Sequence, residues 1–141
     1  MNKNTIATVF SEKEKVNIGY IMAGYPSVDF TKSFLSNLDR TAIDILEIGI
    51  PYSDPLADGK LISQASFAAS QAGVTTDTVF DLLASVKGKV HKPLVFLVYY
   101  NLVFAYGVDT FLQKCAEVGI SGLIIPDLPY EEAQEMVEKL R

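Results

Sequence analysis

Two kinds of apolar pattern alternate along the chain. Four short runs are continuously apolar, which is typical of strands covered on both faces in a parallel sheet. The predicted strands are Val16–Ala23, Ala42–Ile50, Leu94–Tyr100 and Gly122–Ile125. In the segments between them, apolar residues recur every three or four positions, as on one face of an amphipathic helix. Repeated strand–helix units with short links predict an α/β architecture.

Start and stop residues support the predicted helices. Ser27 is a candidate N-cap, and Gly73 and Gly119 stand where helices end. The predicted helices are Thr5–Lys15, a segment after Ser27, Leu61–Ala72, Asp77–Val86, Asp109–Val118 and a last helix from about Tyr130. The residues expected on buried helix faces are Phe30, Phe34, Leu35, Leu38, Val79, Leu82, Leu83, Val86, Ala133, Met136, Val137 and Leu140.

The pattern alone does not choose between an open doubly wound sheet and a barrel. No Gly-x-Gly-x-x-Gly motif follows the first strand, so the dinucleotide-binding fingerprint is absent. Polar residues gather after strands two, three and four, at the face where a barrel carries its site. The segment Glu138–Arg141 stops within a helical pattern, and an eight-fold barrel typically needs about 250 residues. We therefore expect residues 1–141 to form a single partial barrel domain that is a portion of a longer product.

Composition narrows the classes of function. The net charge of the 141 residues is −5, and the 12 lysines and arginines are scattered, so nucleic acid is not an expected partner. The single cysteine, Cys115, fits a reducing compartment and is expected in the core. The longest apolar run, Leu94–Gly107, is shorter than the roughly 20 residues of a membrane span. These features predict a cytoplasmic chain with no membrane partner.

The candidate chemistry lies in the segment LEIGIPYSDPLADG. Glu47 stands inside an apolar run at the expected end of a strand, and Asp58 lies on the turn-rich loop that follows. A buried carboxylate without a partner is costly, so such a residue indicates a site. Two carboxyls in unlike environments allow separate acid and base roles. The alternatives are a structural ion pair for Glu47 and an ordinary turn role for Asp58.

Other polar residues have simpler expected roles. A magnesium site at Asp54, Asp58 and Glu47 is disfavoured, because no histidine joins them and no phosphate-binding loop follows. Asp127 is expected to hydrogen-bond loop residues rather than to act in catalysis. His91 is expected to be a solvated loop residue.

The segment LEIGIPYSDPLADG resembles the signature of the tryptophan synthase alpha subunit family. Three flanking segments agree in order and without large gaps: YIMAGYPS, YYNLVFAYG and GLIIPDLPYEEA. The resemblance implies a (β/α)8 TIM barrel of which this chain holds the first four βα units. It departs from the family pattern at Lys60, where proline is usual, and at Tyr20, where some members have phenylalanine.

The resemblance also implies a reaction. The family is a lyase of tryptophan biosynthesis that cleaves indole-3-glycerol phosphate to indole and glyceraldehyde 3-phosphate, without cofactor or metal. By resemblance, Glu47 is the general acid–base, and Asp58 accepts a hydrogen bond from the indole N–H. The residues expected to wall the indole pocket are Tyr20, Leu97, Tyr99 and Ile124. Asp54 and Pro55 are expected to contact the beta subunit. The phosphate anchor and the lid would come from the second half of the barrel.

Two competing functions stay open at this point. One is a non-catalytic half-barrel module that only binds the tryptophan synthase beta subunit. The other is a different phosphosugar-handling barrel, which the length of the fourteen-residue loop motif disfavours.

Overall fold

The computed structural model describes residues 6–141, and a four-stranded parallel sheet forms its centre. The strands are β1 (Ile18–Met22), β2 (Ile45–Gly49), β3 (Leu94–Leu97) and β4 (Ile120–Ile124). All four predicted strands are therefore confirmed in place. The first three are shorter than predicted, and β4 begins and ends earlier. Glu47 is the third of the five residues of β2, so the expectation that it ends the strand is wrong.

The strand order distinguishes the two sheet architectures that the sequence left open. The order is β1-β2-β3-β4, with every pair parallel. A doubly wound sheet reverses its order at a switch point, whereas a barrel adds each strand beside the previous one. Within the described residues the order never reverses. The sheet therefore has the arrangement of four consecutive strands of a barrel wall.

Seven α-helices occur in residues 6–141. They are α1 (Ile6–Glu12), α2 (Val28–Ser36), α3 (Lys60–Gln71), α4 (Thr76–Val86), α5 (Tyr100–Tyr106), α6 (Val108–Val118) and α7 (Gln134–Leu140), with short 3-10 turns at Leu38–Arg40 and Tyr130–Glu132. None of the helices in this part of the chain is long and apolar enough to cross a membrane. Helix α1 ends at Glu12 instead of the predicted Lys15, and Thr5 lies outside the described residues.

Cap residues explain where several helices begin and end. The Ser27 side chain accepts a hydrogen bond from the Phe30 N–H, which confirms the predicted N-cap of α2. Thr75, which was not predicted as a cap, forms a reciprocal capping box with Thr78 at the start of α4. Gly119 ends α6 with a φ of 82°, a left-handed conformation that glycine adopts without steric cost.

Three predictions about apolar positions are wrong. Phe30 is 54% exposed, because α2 turns Thr31 and Leu35 toward the core instead. On α7 only Met136 is buried, whereas Val137 and Leu140 are 42% and 53% exposed. The neighbours of α7 in the described part of the chain lie around Met136, so one side of the helix remains uncovered.

The main core lies between one face of the sheet and the helices. Alternate strand residues, among them Leu46, Ile48 and Phe96, are buried with residues of α2, α4 and α6. Every residue expected on the buried face of α4 is at most 6% exposed. Cys115 is also buried there, as expected, and burial raises the pKa of its thiol to about 12. The helices therefore cover this outer face of the sheet.

The opposite, inner face carries the polar candidates. Because partners in a parallel register point to the same side, Tyr20, Glu47, Val95 and Gly122 form one row across the sheet. The next row toward the carboxyl ends is Met22, Gly49, Leu97 and Ile124. In the row of Glu47, the Ile6 side chain of α1 lies against Gly122. The inner face thus opens toward the carboxyl ends of the strands, where a barrel carries its chemistry.

Candidate active site

Glu47 projects from the middle of the inner face. It stands in register with Tyr20 on one side and Val95 on the other. Glu47 is half-buried, so the burial expected from its apolar neighbours is only partial. On the outer face, its chain neighbours Leu46 and Ile48 are fully buried under the helices.

The loop that follows β2 is fixed at its start by Tyr52. The Tyr52 N–H donates to the Ser66 hydroxyl at 2.8 Å, and the same hydroxyl donates to the Tyr52 carbonyl at 2.9 Å. Ser66 is buried on α3. The Tyr52 hydroxyl accepts a hydrogen bond from the Asn101 side-chain amide at 3.1 Å. The loop is therefore tied both to the helix after it and to the segment after β3.

Tyr99 fixes the second half of the same loop. Its ring stacks on the Tyr52 ring with a centroid distance of 5.0 Å, and its hydroxyl accepts the Ala57 N–H at 2.9 Å. Ala57 directly precedes Asp58. Burial raises the pKa of the Tyr99 hydroxyl; the Ala57 N–H opposes this, and the charge of Asp58 raises it further. Tyr99 was expected to form a wall of the pocket. In the structure it is only 3% exposed, and it holds the loop that carries Asp58.

The two candidate carboxylates converge on Tyr20. Burial raises the pKa of the Tyr20 hydroxyl most, and the charges of Asp58 and Glu47 raise it further. Glu47 is also the register partner of Tyr20, so these two side chains share the inner face. Asp58 itself is half-buried, and its N–H donates to the Pro55 carbonyl at 3.1 Å. Through Ala57, the loop thus folds back toward Tyr99, beyond the end of β3.

The remaining predicted site residues lie around this pair. Leu97 and Ile124 are register partners in the row beyond Glu47, and Ile124 is 39% exposed. Pro55 is half-buried and Asp54 is exposed at the tip of the loop. Leu97 and Ile124 therefore lie on the inner face in the row next to Glu47, whereas Asp54 is exposed on the surface of the loop.

Asp127 has the supporting role that the sequence predicted. Its carboxylate accepts the Tyr100 N–H at 2.7 Å, so it caps the start of α5 from the loop after β4. This contact joins the carboxyl ends of β3 and β4. A first-turn carboxylate is also stabilised by the dipole of the helix.

The structure also bears on the alternatives for Glu47. Among residues 6–141, the ion pairs are Lys13–Asp44, His91–Asp39, Lys139–Asp109 and Lys139–Glu135, and Glu47 belongs to none of them. No group of three or more His, Cys, Asp or Glu in that part of the chain is placed to hold a metal ion. Within the described residues, Glu47 therefore forms no ion pair.

A cavity of about 290 Å³ lies at the opposite ends of the strands. Its lining includes Lys87, His91 and Lys92. The Lys87 ammonium donates to the Glu117 carbonyl, and the Lys92 ammonium donates to the carbonyls of Thr41 and Ile43. The ammonium groups of Lys87 and Lys92 are therefore engaged with backbone carbonyls.

Sequence reasoning missed three residues that shape the site: Tyr52, Ser66 and Asn101. The predicted third strand, Leu94–Tyr100, included the first two residues of the YYNLVFAYG segment. Tyr100 in fact begins α5. The polar residue Asn101 interrupts the apolar run at this point. It could have indicated that the strand ends before it and that a helix begins.

Comparison with known proteins identifies relatives along nearly the whole chain. A family model described as "Tryptophan synthase alpha chain" matches residues 6–141. The tryptophan synthase alpha chain of Alkaliphilus metalliredigens is 47% identical over 133 residues, which cover 94% of this chain and 50% of the relative. That of Campylobacter jejuni subsp. doylei is 46% identical over 127 residues, with coverages of 90% and 50%.

Solved structures agree with these relatives. The tryptophan synthase subunit alpha from Campylobacter jejuni superposes with a TM-score of 0.84 at 45% identity, over 90% of this chain and 50% of that one. The subunit from Legionella pneumophila gives a TM-score of 0.90 at 32% identity, over 99% and 54%. The chain spans about half the length of the relatives that it matches.

Proposed function

Because this chain belongs to the tryptophan synthase alpha chain family, we propose that it carries the acid–base residues for cleavage of indole-3-glycerol phosphate. The products are indole and glyceraldehyde 3-phosphate. The reaction breaks the bond between carbon 3 of the indole ring and the first side-chain carbon. The electron pair of that bond stays on the ring, where carbon 3 gains a proton, and the side-chain hydroxyl loses a proton to become the aldehyde.

Glu47 is proposed to move these protons. A single carboxyl balances the reaction, because the ring gains one proton and the hydroxyl loses one. Asp58 is proposed to accept the indole N–H and to stabilise the positive charge that develops on the ring nitrogen when carbon 3 is protonated. Leu97 and Ile124, with the ring of Tyr20, would supply flat apolar contacts for the indole.

The observation that supports this assignment best is the position of Glu47 relative to the loop that carries Asp58. Glu47 stands beside Tyr20 in the sheet, and the Ala57 N–H, directly before Asp58, donates to the Tyr99 hydroxyl beyond the end of β3 at 2.9 Å. The contacts of Tyr52 and Tyr99 hold the intervening loop in place. By the family resemblance, the phosphate anchor belongs to the second half of the barrel. The proposal therefore assigns the indole end of the substrate to this chain.

The test is release of indole from indole-3-glycerol phosphate by the gene product that carries this chain. Glu47→Gln keeps the shape of the side chain but cannot exchange protons, so indole release should fall about 100-fold or more. Glu14→Gln, a matched change at an exposed residue, should leave it unchanged. A Glu47→Gln protein that releases indole at the unaltered rate would rule out the proposed role.

A second proposal concerns a partner and is favoured by the tip of the same loop. Asp54 is exposed and Leu56 is 84% exposed, which is unusual for a large apolar residue in a fixed loop. We propose that Asp54 and Pro55 contact the tryptophan synthase beta subunit. This contact alone would be the function of the chain if it is a binding module without catalysis.

The partner proposal predicts a selective loss. Asp54→Ala should reduce the activation of indole release by the beta subunit while substrate affinity stays within about twofold, because Asp54 lies outside the inner face. The matched control is Asp29→Ala, an exposed acid on α2. Equal losses in activation and in substrate affinity would contradict the partner role.

A further inference from the structure

The Tyr20 hydroxyl is a buried polar group for which the described residues provide no partner. Its oxygen has almost no solvent-accessible surface and makes no hydrogen bond to residues 6–141. Buried hydroxyls are nearly always hydrogen-bonded, because burying one without a partner costs free energy. An exception inside a candidate site points to a ligand atom as the missing partner.

The protein makes room for this hydroxyl. Tyr20 leans over Gly49, and a side chain at position 49 would begin only 2.1 Å from the Tyr20 hydroxyl oxygen. Glycine at position 49 therefore allows the phenol to extend along the inner face toward the carboxyl ends of the strands. Tyr20 is also the register partner of Glu47, so the two side chains stand next to each other on that face.

The protonated hydroxyl has one hydrogen to donate, and no group of the described residues accepts it. Burial and the charges of Asp58 and Glu47 raise the pKa of Tyr20 above its ordinary value, so the hydroxyl keeps its proton at neutral pH. A donor with no partner needs an acceptor on the ligand. The indole ring offers only an N–H, which is itself a donor. The nearest acceptor on the proposed substrate is the side-chain hydroxyl oxygen on the carbon attached to the ring.

We propose that Tyr20 donates a hydrogen bond to this side-chain hydroxyl oxygen, beside the carboxyl of Glu47. This inference rests on the proposed function and adds a positioning and specificity role to a residue first expected only as an apolar wall. The substrate hydroxyl then donates to Glu47 and accepts from Tyr20, which orients its proton toward the base. Tyr20 transfers no proton, and its hydrogen bond persists as the hydroxyl becomes the aldehyde oxygen.

The decisive variant is Tyr20→Phe, which removes the hydroxyl and keeps the ring. In the ligand-free gene product its melting temperature should be equal to or higher than that of the unaltered protein, because an unpartnered buried hydroxyl is removed. The affinity for indole-3-glycerol phosphate should fall about 3- to 10-fold. The affinity for indole, which lacks the side-chain hydroxyl, should stay within about twofold. Tyr25→Phe, at an exposed tyrosine, is the matched control and should change neither affinity.

Two results would overturn the inference. A lower melting temperature of ligand-free Tyr20→Phe would mean that the hydroxyl has a structural partner. Equal losses of affinity for indole and for indole-3-glycerol phosphate would mean that Tyr20 makes only apolar contacts with the indole ring. If the unaltered protein binds neither compound, the proposed function fails, and the melting temperature still decides whether the hydroxyl is unpartnered.

Discussion

The hydroxyl of Tyr99 joins parts of the site that lie 42 positions apart in the chain. It accepts the Ala57 N–H, and its ring stacks on Tyr52, so a residue at the end of β3 determines the path of the loop after β2. Asp58 follows Ala57 directly. The position of the proposed indole-binding carboxylate therefore depends on a side chain that need not touch the substrate.

Removing this hydroxyl tests that dependence. Tyr99→Phe keeps the stacked ring but leaves the Ala57 N–H without its acceptor. The loss of this hydrogen bond should destabilise the observed loop conformation by about 1 kcal/mol. We expect indole release to fall about 5-fold, with the fold intact by circular dichroism. Tyr130→Phe, at an 86% exposed tyrosine, is the control. Unchanged kinetics in Tyr99→Phe would show that the loop holds Asp58 without this contact.

The residues of the site differ in how predictable they were. Glu47 was detected because an acid in an apolar run is conspicuous, and Asp58 because of the loop motif around it. The anchors Tyr52 and Ser66 were not detected, since they meet only through the tertiary fold. The role of Tyr99 also required the structure, because periodicity indicates which face a residue occupies but not which atom its hydroxyl reaches.

At the scale of elements, hydrophobic periodicity predicted most of the fold. Helix α4 matches its prediction within one residue, because four regularly spaced apolar residues and a threonine cap all agree. Helix α5 was missed, because an apolar run that continues from a buried strand into a helix shows no break in pattern. Here Asp127, from a distant loop, helps to define the start of the helix.

The hydrogen bonds between Asp39 and His91 predict that the stability of the fold depends on pH. Asp39, in the turn Leu38–Arg40, accepts hydrogen bonds from the His91 N–H at 3.0 Å and from the His91 ring at 2.6 Å. Partial burial acts to raise the pKa of Asp39, but the two hydrogen bonds and the charges of His91 and Lys92 outweigh it, so the pKa lies below its ordinary value. A carboxyl whose folded-state pKa is lowered stabilises the fold above its unfolded-state pKa, and this stabilisation is lost as the pH falls.

The unaltered protein should therefore melt higher than Asp39→Asn at pH 6. The difference should shrink as the pH falls from the unfolded-state pKa of Asp39 through its lowered folded-state pKa. Thermal melts from pH 6 to about pH 2 measure this directly. Because the pair is partly exposed, the difference should also shrink in high salt. A difference that is constant across this pH range would show that the ionised carboxylate does not stabilise the turn.

At the scale of the whole molecule, the sheet has two open edges. In the described residues, β1 pairs only with β2, and β4 pairs only with β3. Ile18 and Ile124 on these strands are 47% and 39% exposed. Closed barrels have no such edges. The family resemblance predicted the barrel wall, and the sequence pattern predicted polar residues at one end of it, but the partial exposure of Glu47 is visible only in the assembled sheet.

Glu47 and Asp58 are proposed to act together on one substrate. The most direct measurement is indole release by the gene product, its intact mass recorded, for the unaltered protein, Glu47→Gln, Asp58→Asn and the double variant. We expect about 100-fold or larger losses in each single variant and a double-variant loss far smaller than their product, because residues that act as a unit are non-additive. An unaltered protein without activity, or single losses that multiply in full, would contradict the account.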